Sequence, residues 1–347
     1  MTKPIARRLR ESDEEELLQW ISTNRLRKVL IQAPLGLKHL ISEVKAVLER
    51  SSVDYVVSAS NCWGGCDVAV GEALRVRADG IVHIGHAPFM RIDSVKVFYL
   101  EGRYLDPEPL LNVLGPTIEQ LSGHSRVGLG MSVQWLNFLD LVISKLNDHG
   151  IEAVTGEAEG RLAHRGQVIG CDYTPLMKLK GAVDVYLCIG SLFHSLGLAM
   201  TSSKPTLSAD PHTCKVLWAN ELADRMYRQR YANIERFKSA RKIGVILSTK
   251  PGQYLPGLAK RITSLLKDRG YEADELVTDE VNEYLLMDQR YDAYVNSACP
   301  RLSVEDQSKF TKPLLLPSEV LVALNIISWS EFLERGLLFR MYVPGGV

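Results

Sequence analysis

Ser60-Asn61-Cys62-Trp63-Gly64-Gly65-Cys66-Asp67 follows the apolar run Tyr55-Val56-Val57 and precedes a segment of helical spacing from Val68 to Val76. Two cysteines and two glycines thus sit where a strand gives way to a helix. Glycine has no Cβ and lets backbone approach a bound group closely, while the first N–H groups of the coming helix point at that group. The stretch reads as a site built on the end of a strand. The alternation around it reads as an α/β fold with mostly parallel sheets.

Two more cysteines stand at similar junctions. Cys171 closes the run Gly166-Gln167-Val168-Ile169-Gly170, and Cys299 closes Ala293-Tyr294-Val295-Asn296-Ser297-Ala298 ahead of Pro300. Each follows a short apolar run and precedes a turn or a helix start, so the three thiolates are expected to converge.

The pattern restarts twice. An amphipathic helix over 5–26 leads into a strand and Pro/Gly turn over Lys28–Gly36, a helix at Leu40–Leu48, and strands at Tyr55–Ser58, Gly80–Gly85 and Val95–Tyr99. A second set opens with a strand at Arg126–Gly130, then a helix at Trp135–Asn147 and strands at Ile151–Val154 and Val183–Gly190. Residues 221–240 read as a connecting helix. A third set opens at Lys242–Leu247 and continues through a helix at Leu258–Lys267, Gly270 as its cap, and strands at Glu272–Val277, Asp292–Asn296 and Pro313–Leu316. The repeat is about 100 to 115 residues, an ordinary domain size. We therefore expect three related α/β domains, at 1–118, 119–240 and 241–347, each contributing one cysteine to a shared central site. Ligand sites in open parallel sheets lie beyond the carboxyl ends of the strands, which is where the cysteines fall.

The totals exclude some functions. Lys plus Arg and Asp plus Glu are 41 each, so no bulk charge favours nucleic acid or a membrane surface. No apolar run approaches the roughly 18 to 20 residues that cross a bilayer, and the polar start Thr2 to Glu16 lacks a secretory h-region. The expected compartment is the cytoplasm, where six cysteines are free, metal-bound or catalytic rather than paired.

Three cysteines do not close a tetrahedral zinc site, which takes four N or S ligands. A four-iron, four-sulfur cluster on three thiolates keeps one iron open to a substrate. Buried cysteine also packs as a small hydrophobe, and Cys188, inside Val185 to Ile189, reads that way. Cys214 follows His212 without a second close pair. Cys62, four residues before Cys66, reads either as the ligand or as a spectator. His83, His86 and His194 stand at strand ends, where both a ligand contact and a satisfied structural histidine are at home. Gly36 and Gly252 either make turns or expose N–H groups to a ligand.

Taken in order, Trp63-Gly64-Gly65-Cys66-Asp67, Val82-His83-Ile84-Gly85-His86, Ile169-Gly170-Cys171-Asp172, Ile189-Gly190-Ser191-Leu192-Phe193-His194 and Val295-Asn296-Ser297-Ala298-Cys299-Pro300-Arg301 resemble the archaeal 2-(3-amino-3-carboxypropyl)histidine synthase family, which carries out the first step of diphthamide biosynthesis. The resemblance spans all three repeats. Gly65 replaces the family's usual alanine, and Leu35 follows Pro34 where the family often has an acid.

The resemblance implies a homodimer of three-domain subunits with a 4Fe-4S cluster on Cys66, Cys171 and Cys299. It implies S-adenosylmethionine as substrate, an electron donor, and a histidine of translation elongation factor 2 as acceptor of the 3-amino-3-carboxypropyl group. Gly64, Gly65, Gly190, Ser191 and His194 become the candidates for holding S-adenosylmethionine. The compact Cys-x-x-x-Cys-x-x-Cys loop of ordinary radical enzymes is absent, since position 69 is Ala69. Two readings compete: a quinolinate synthase-like enzyme, also three-domain with three cysteines, and a non-catalytic iron-sulfur partner subunit. The apolar tail Leu337-Leu338-Phe339 is a further, weaker pointer to a dimer surface.

Overall fold

A carboxylate just ahead of the third strand of each sheet clamps the start of the first. Asp79 accepts from the N–H groups of Arg27 and Lys28, Asp184 from those of Ser125 and Arg126, and Asp292 from those of Arg241 and Lys242, all at 2.8–3.0 Å. The backbone N–H groups hold Asp184 and Asp292 below the usual carboxylate range. Three copies of one device mark three copies of one fold. They appear in a computed structural model that describes residues 9–288 and 290–339.

The first sheet contains β1 (Lys28–Gln32), β2 (Asp54–Val57), β3 (Gly80–Ile84) and β4 (Lys96–Leu100) in the order β2-β1-β3-β4. The second contains β5 (Arg126–Met131), β6 (Glu152–Thr155), β7 (Val185–Ile189), β8 (Thr206–Asp210) and β9 (Lys215–Trp218) in the order β6-β5-β7-β8-β9. The third contains β10 (Lys242–Ser248), β11 (Glu272–Thr278), β12 (Ala293–Asn296) and β13 (Leu314–Leu315) in the order β11-β10-β12-β13. All named pairings are parallel except β8 with β9. Parallel strands carry helices on both faces and so read as continuous apolar runs, and Val185–Ile189 is buried at every position.

The sheets do not stand apart. Leu110 and Leu114 of helix Glu108–Gln120 pack with Val127, Leu187 and Leu207 of the second sheet. A larger core runs from Tyr186 and Cys188 through Phe237 of helix Asn220–Lys238 to Ile243, Val245 and Leu315 of the third sheet. From that helix Arg230, fully buried, bonds to Glu319, to the carbonyls of Ser303 and Leu314, and to Gln307. Taking two charges out of water is tolerable here because the guanidinium's donors are satisfied.

Several expectations need correction. The leading helix is observed at Glu11–Asn24, and positions 5–8 of the expected one lie outside the described residues. The helix after the first cysteine turn is shorter than expected, Val70–Arg75. The expected helix from Trp135 begins as a 3₁₀ segment at Val133–Phe138 and becomes α-helical only at Leu139–Asn147. Residues 166–172 form no strand, only bridges at Gln167 and between Ile169 and Asp172, so Cys171 lies in the long loop after β6. Strands β8 and β9 are absent from the sequence reading. The tail Leu337-Leu338-Phe339 is buried in the core shared by the second and third sheets, with Phe339 edge-on to Tyr173, and offers no surface to a second subunit.

Candidate active site

Three loops at the carboxyl ends of strands carry the cysteines, and three side-chain contacts join those ends pairwise. Lys250, just after β10, reaches into the first sheet's cysteine turn and pairs with Asp67 at 2.8 Å. Arg161, in the loop after β6, lies over the ring of Phe89 at 5.1 Å. Arg301, after β12, lies over the ring of Phe193 at 4.2 Å, a cation–π contact between the third and second sheets.

The Cys66 turn is fixed from both sides. Gln253 Nε2 donates to its sulfur at 3.3 Å, and the N–H of Gly252 donates to its carbonyl at 2.8 Å. A Cβ on Gly252 would lie 2.6 Å from both Cα and Cβ of Cys66, so only glycine fits. Cys171 follows Gly170, on which the Phe193 ring rests so closely that a Cβ would fall 1.6 Å from it. Cys299 caps the short helix Pro300–Val304, and the buried side chain of Asn296 holds the loop by donating to the Cys299 carbonyl at 2.6 Å and accepting from the N–H of Ala298 at 2.9 Å.

Each of the three thiols is raised, and they act on one another. Burial raises Cys171 above its ordinary value, and the charges of Cys66 and Cys299 raise it further. Cys299 is pushed up to about 11 by burial and then by Cys66. Burial raises Cys66 as well, against the hydrogen bond from Gln253. Arg161 opposes the rise at Cys66 and Cys171, and Arg301 opposes it at Cys299. Unliganded, these sulfurs hold their protons. A metal centre would replace those protons, and two guanidiniums stand ready to balance the thiolates.

Cys66 and Cys299, but not Cys171, also line a cavity of about 550 Å³ with Trp63, Lys250, Glu280 and Arg301, a size that takes a nucleoside-bearing small molecule. Burial would lower the Lys250 ammonium, but its bonds to Asp67 and to Glu280 at 3.0 Å raise it overall. Asp67 is pushed up to about 6 by burial despite that partner. Trp63 Nε1 donates to Glu280 at 3.1 Å across the mouth of the cavity.

None of the five expected substrate-holding residues lines this cavity. The N–H of Gly64 faces the sulfur of Cys62, and Gly65 packs on the Ala87 carbonyl, 2.7 Å from where its Cβ would stand. The N–H of Gly190 donates to the Ala209 carbonyl at 3.0 Å. Ser191 Oγ meets His194 Nδ1 at 3.2 Å, and burial brings His194 down to about 4, so it is neutral at pH 7. Cys188 is core, and Cys214 is exposed. His83 and His86 face Cys62 instead of the cavity. The residues that sequence reasoning missed are Lys250, Gln253, Arg161, Arg301 and Asn296. Their common signal is position, one to a few residues beyond a strand's carboxyl end or in the same loop as a cysteine.

The diphthamide synthesis protein family model matches residues 33–334. The 2-(3-amino-3-carboxypropyl)histidine synthase of Pyrococcus horikoshii is 33% identical over 330 residues, 94% of each chain. Subunit 1 of the synthase from Homo sapiens is 29% identical, covering 88% of this chain and 70% of that one. The crystal structure of Dph2 from Pyrococcus horikoshii with 4Fe-4S cluster superposes with a TM-score of 0.82 at 31% identity, covering 94% of this chain and 93% of that one. This chain belongs to the diphthamide synthesis protein family.

Proposed function

We propose that the chain is a transferase that moves the 3-amino-3-carboxypropyl group of S-adenosylmethionine to C2 of a histidine on translation elongation factor 2, with a 4Fe-4S cluster held by Cys66, Cys171 and Cys299. What supports this reading is that Cys66 and Cys299, from the first and third sheets, line one cavity of about 550 Å³, with Cys171 of the second near enough for each of the other two to raise its thiol. The donor set fits the group: three sulfurs without a carboxylate among them, in a setting where metal replaces protons. That the similar chains are 2-(3-amino-3-carboxypropyl)histidine synthases favours this over a quinolinate synthase-like reaction.

When bound, such a cluster supplies one electron and an open iron for breaking the sulfonium's bond to the methionine Cγ in a radical mechanism. The chain's own residues do the rest. Arg301 offers charge to the amino-acid carboxylate, and Asp279 and Glu280 face the cavity with charge opposite to the sulfonium. Neutral His194 and Ser191 sit beside Phe193, the ring under Arg301, and serve to orient that arginine. Lys250 holds the Cys66 turn against the third sheet, so the sulfur and the cavity move as one body. The protein acts as a homodimer with an external electron donor, two points that rest on the family resemblance, and in the cytoplasm, the compartment expected from its sequence.

The test is anaerobic reconstitution with labelled S-adenosylmethionine, a reductant and elongation factor 2. Methylthioadenosine and labelled elongation factor support the reading. Dominant 5′-deoxyadenosine, or equal labelling of free histidine, contradicts it. Sedimentation at the mass of one 38.8 kDa chain with full activity contradicts the dimer.

A further inference from the structure

Beside the cysteine turn lies a second group of metal-binding side chains. The sulfur of Cys62, Nε2 of His83 and Nδ1 of His86 all lie within 4.8 Å of one another. Cys62 Sγ is 4.0 Å from His86 Nδ1, and His83 Nε2 is 3.0 Å from the same nitrogen. A tetrahedral zinc ion with Zn–N near 2.0 and Zn–S near 2.3 Å sets two nitrogens roughly 3.3 Å apart and each nitrogen roughly 3.5 Å from the sulfur, so shifts of about 1.3 Å or less would seat one.

We propose that Cys62, His83 and His86 hold one divalent, zinc-like cation, distinct from the three-cysteine site, with its fourth position open.

The hydrogen bonds around the group prepare it for a cation. Gln32 Nε2 donates to the Asp67 carbonyl at 2.7 Å, and its Oε1 accepts from the N–H of Ala69 at 2.9 Å, which fixes the orientation of the amide. That same Oε1 lies 2.9 Å from His83 Nδ1, so Nδ1 carries the proton and Nε2 presents its lone pair toward His86 and Cys62. A ligating histidine whose other nitrogen donates to an amide oxygen is the usual supporting arrangement of a metal site. Burial pushes the Cys62 thiol up to about 12, with the N–H of Gly64 opposing the rise, so a bound cation would take the place of its proton. Cys62 and His83 are buried, whereas His86 keeps partial contact with solvent and gives an open side. Two imidazoles and one thiolate select zinc or cobalt over the oxygen-seeking magnesium and calcium. All three ligands come from β3 of the first sheet and the loops that follow β2 and β3.

The inference is independent of the proposed transferase chemistry, and its test separates the two. The reconstituted full-length protein, equilibrated with zinc and desalted, is expected to hold about four iron and about one zinc per chain. Cys62→Ser is expected to lose the zinc and keep the iron. In the full chain carrying Cys66→Ser, Cys171→Ser and Cys299→Ser, cobalt(II) is expected to give tetrahedral d–d bands and a thiolate-to-cobalt charge-transfer band at one equivalent. His86→Gln in that background should weaken cobalt binding at least about tenfold, and Gln32→Leu, a positioning change, by about 10- to 100-fold. If Cys62→Ser fails to fold, His86→Gln decides alone. No stoichiometric zinc or cobalt, a charge-transfer band that survives Cys62→Ser, or a cobalt affinity unchanged in His86→Gln would mean a hydrogen-bonded histidine pair only and would overturn the proposal.

Discussion

Gly252 of the third sheet lies directly on Cys66 of the first: its N–H donates to the Cys66 carbonyl at 2.8 Å, and a side chain there would collide with the cysteine's backbone. Gly252→Ala should therefore displace Cys66 and act on the metal site without touching a sulfur. We expect a stability loss of about 1–3 kcal/mol from overpacking, together with reduced iron on reconstitution. Normal iron content in a Gly252→Ala protein would show that Cys66 does not need this support.

Among the described residues Lys250 is the cation that pairs with Asp67, and both are buried. In the native protein Asp67 stands at about 6, above its usual 3.8, so it costs stability as the pH rises through that interval. Lys250→Met removes the partner and raises Asp67 further. The variant should lie close to wild type near pH 5, where Asp67 is protonated in both, and lose about 3–5 kcal/mol by pH 8. Denaturant unfolding at the two pH values measures this; a loss independent of pH would assign the effect to packing.

Much of this architecture was legible in the chain. Strands such as Val185–Ile189 and Lys242–Ser248 are unbroken apolar runs, because helices cover both faces of a parallel sheet. Strands β8 and β9 escaped because Thr206–Asp210 mixes Thr, Ser and Asp into its run and pairs antiparallel with the short Lys215–Trp218. That omission had a consequence at the site: Gly190 was expected to offer a free N–H, and Ala209 of β8 accepts it. Cys66, Cys171 and Cys299 were visible as strand-end or loop cysteines. The contacts that hold them, Lys250 to Asp67 and Phe193 on Gly170, join residues far apart in the chain, and no local periodicity encodes such pairings.

The Phe193 ring rests on Gly170 and carries Arg301 on its face. Gly170→Ala should force the ring away, release Arg301 and disturb Cys171. Shrinking the ring in Phe193→Leu forfeits about 0.5–2 kcal/mol of cation–π attraction, yet in the double variant it should make room for the alanine. Metal content in Phe193→Leu/Gly170→Ala is expected above that of Gly170→Ala alone. Additive losses would deny the coupling.

Arg230 and Glu319 form a fully buried pair far from the cysteines in role, tying helix Asn220–Lys238 to the third sheet. Glu319→Gln leaves the guanidinium uncompensated and should lower stability by about 3–5 kcal/mol, with iron per folded chain unchanged. Arg230→Met combined with Glu319→Leu should recover part of that loss. Thermal unfolding with metal analysis checks both halves.

The account turns on which sulfurs hold the cluster, and iron and sulfide counted per chain after anaerobic reconstitution of single alanine variants measures that directly. Cys66→Ala, Cys171→Ala and Cys299→Ala are each predicted to lose most of the cluster, while Cys62→Ala, Cys188→Ala and Cys214→Ala keep it. A full complement of iron and sulfide in any of the first three would contradict the account.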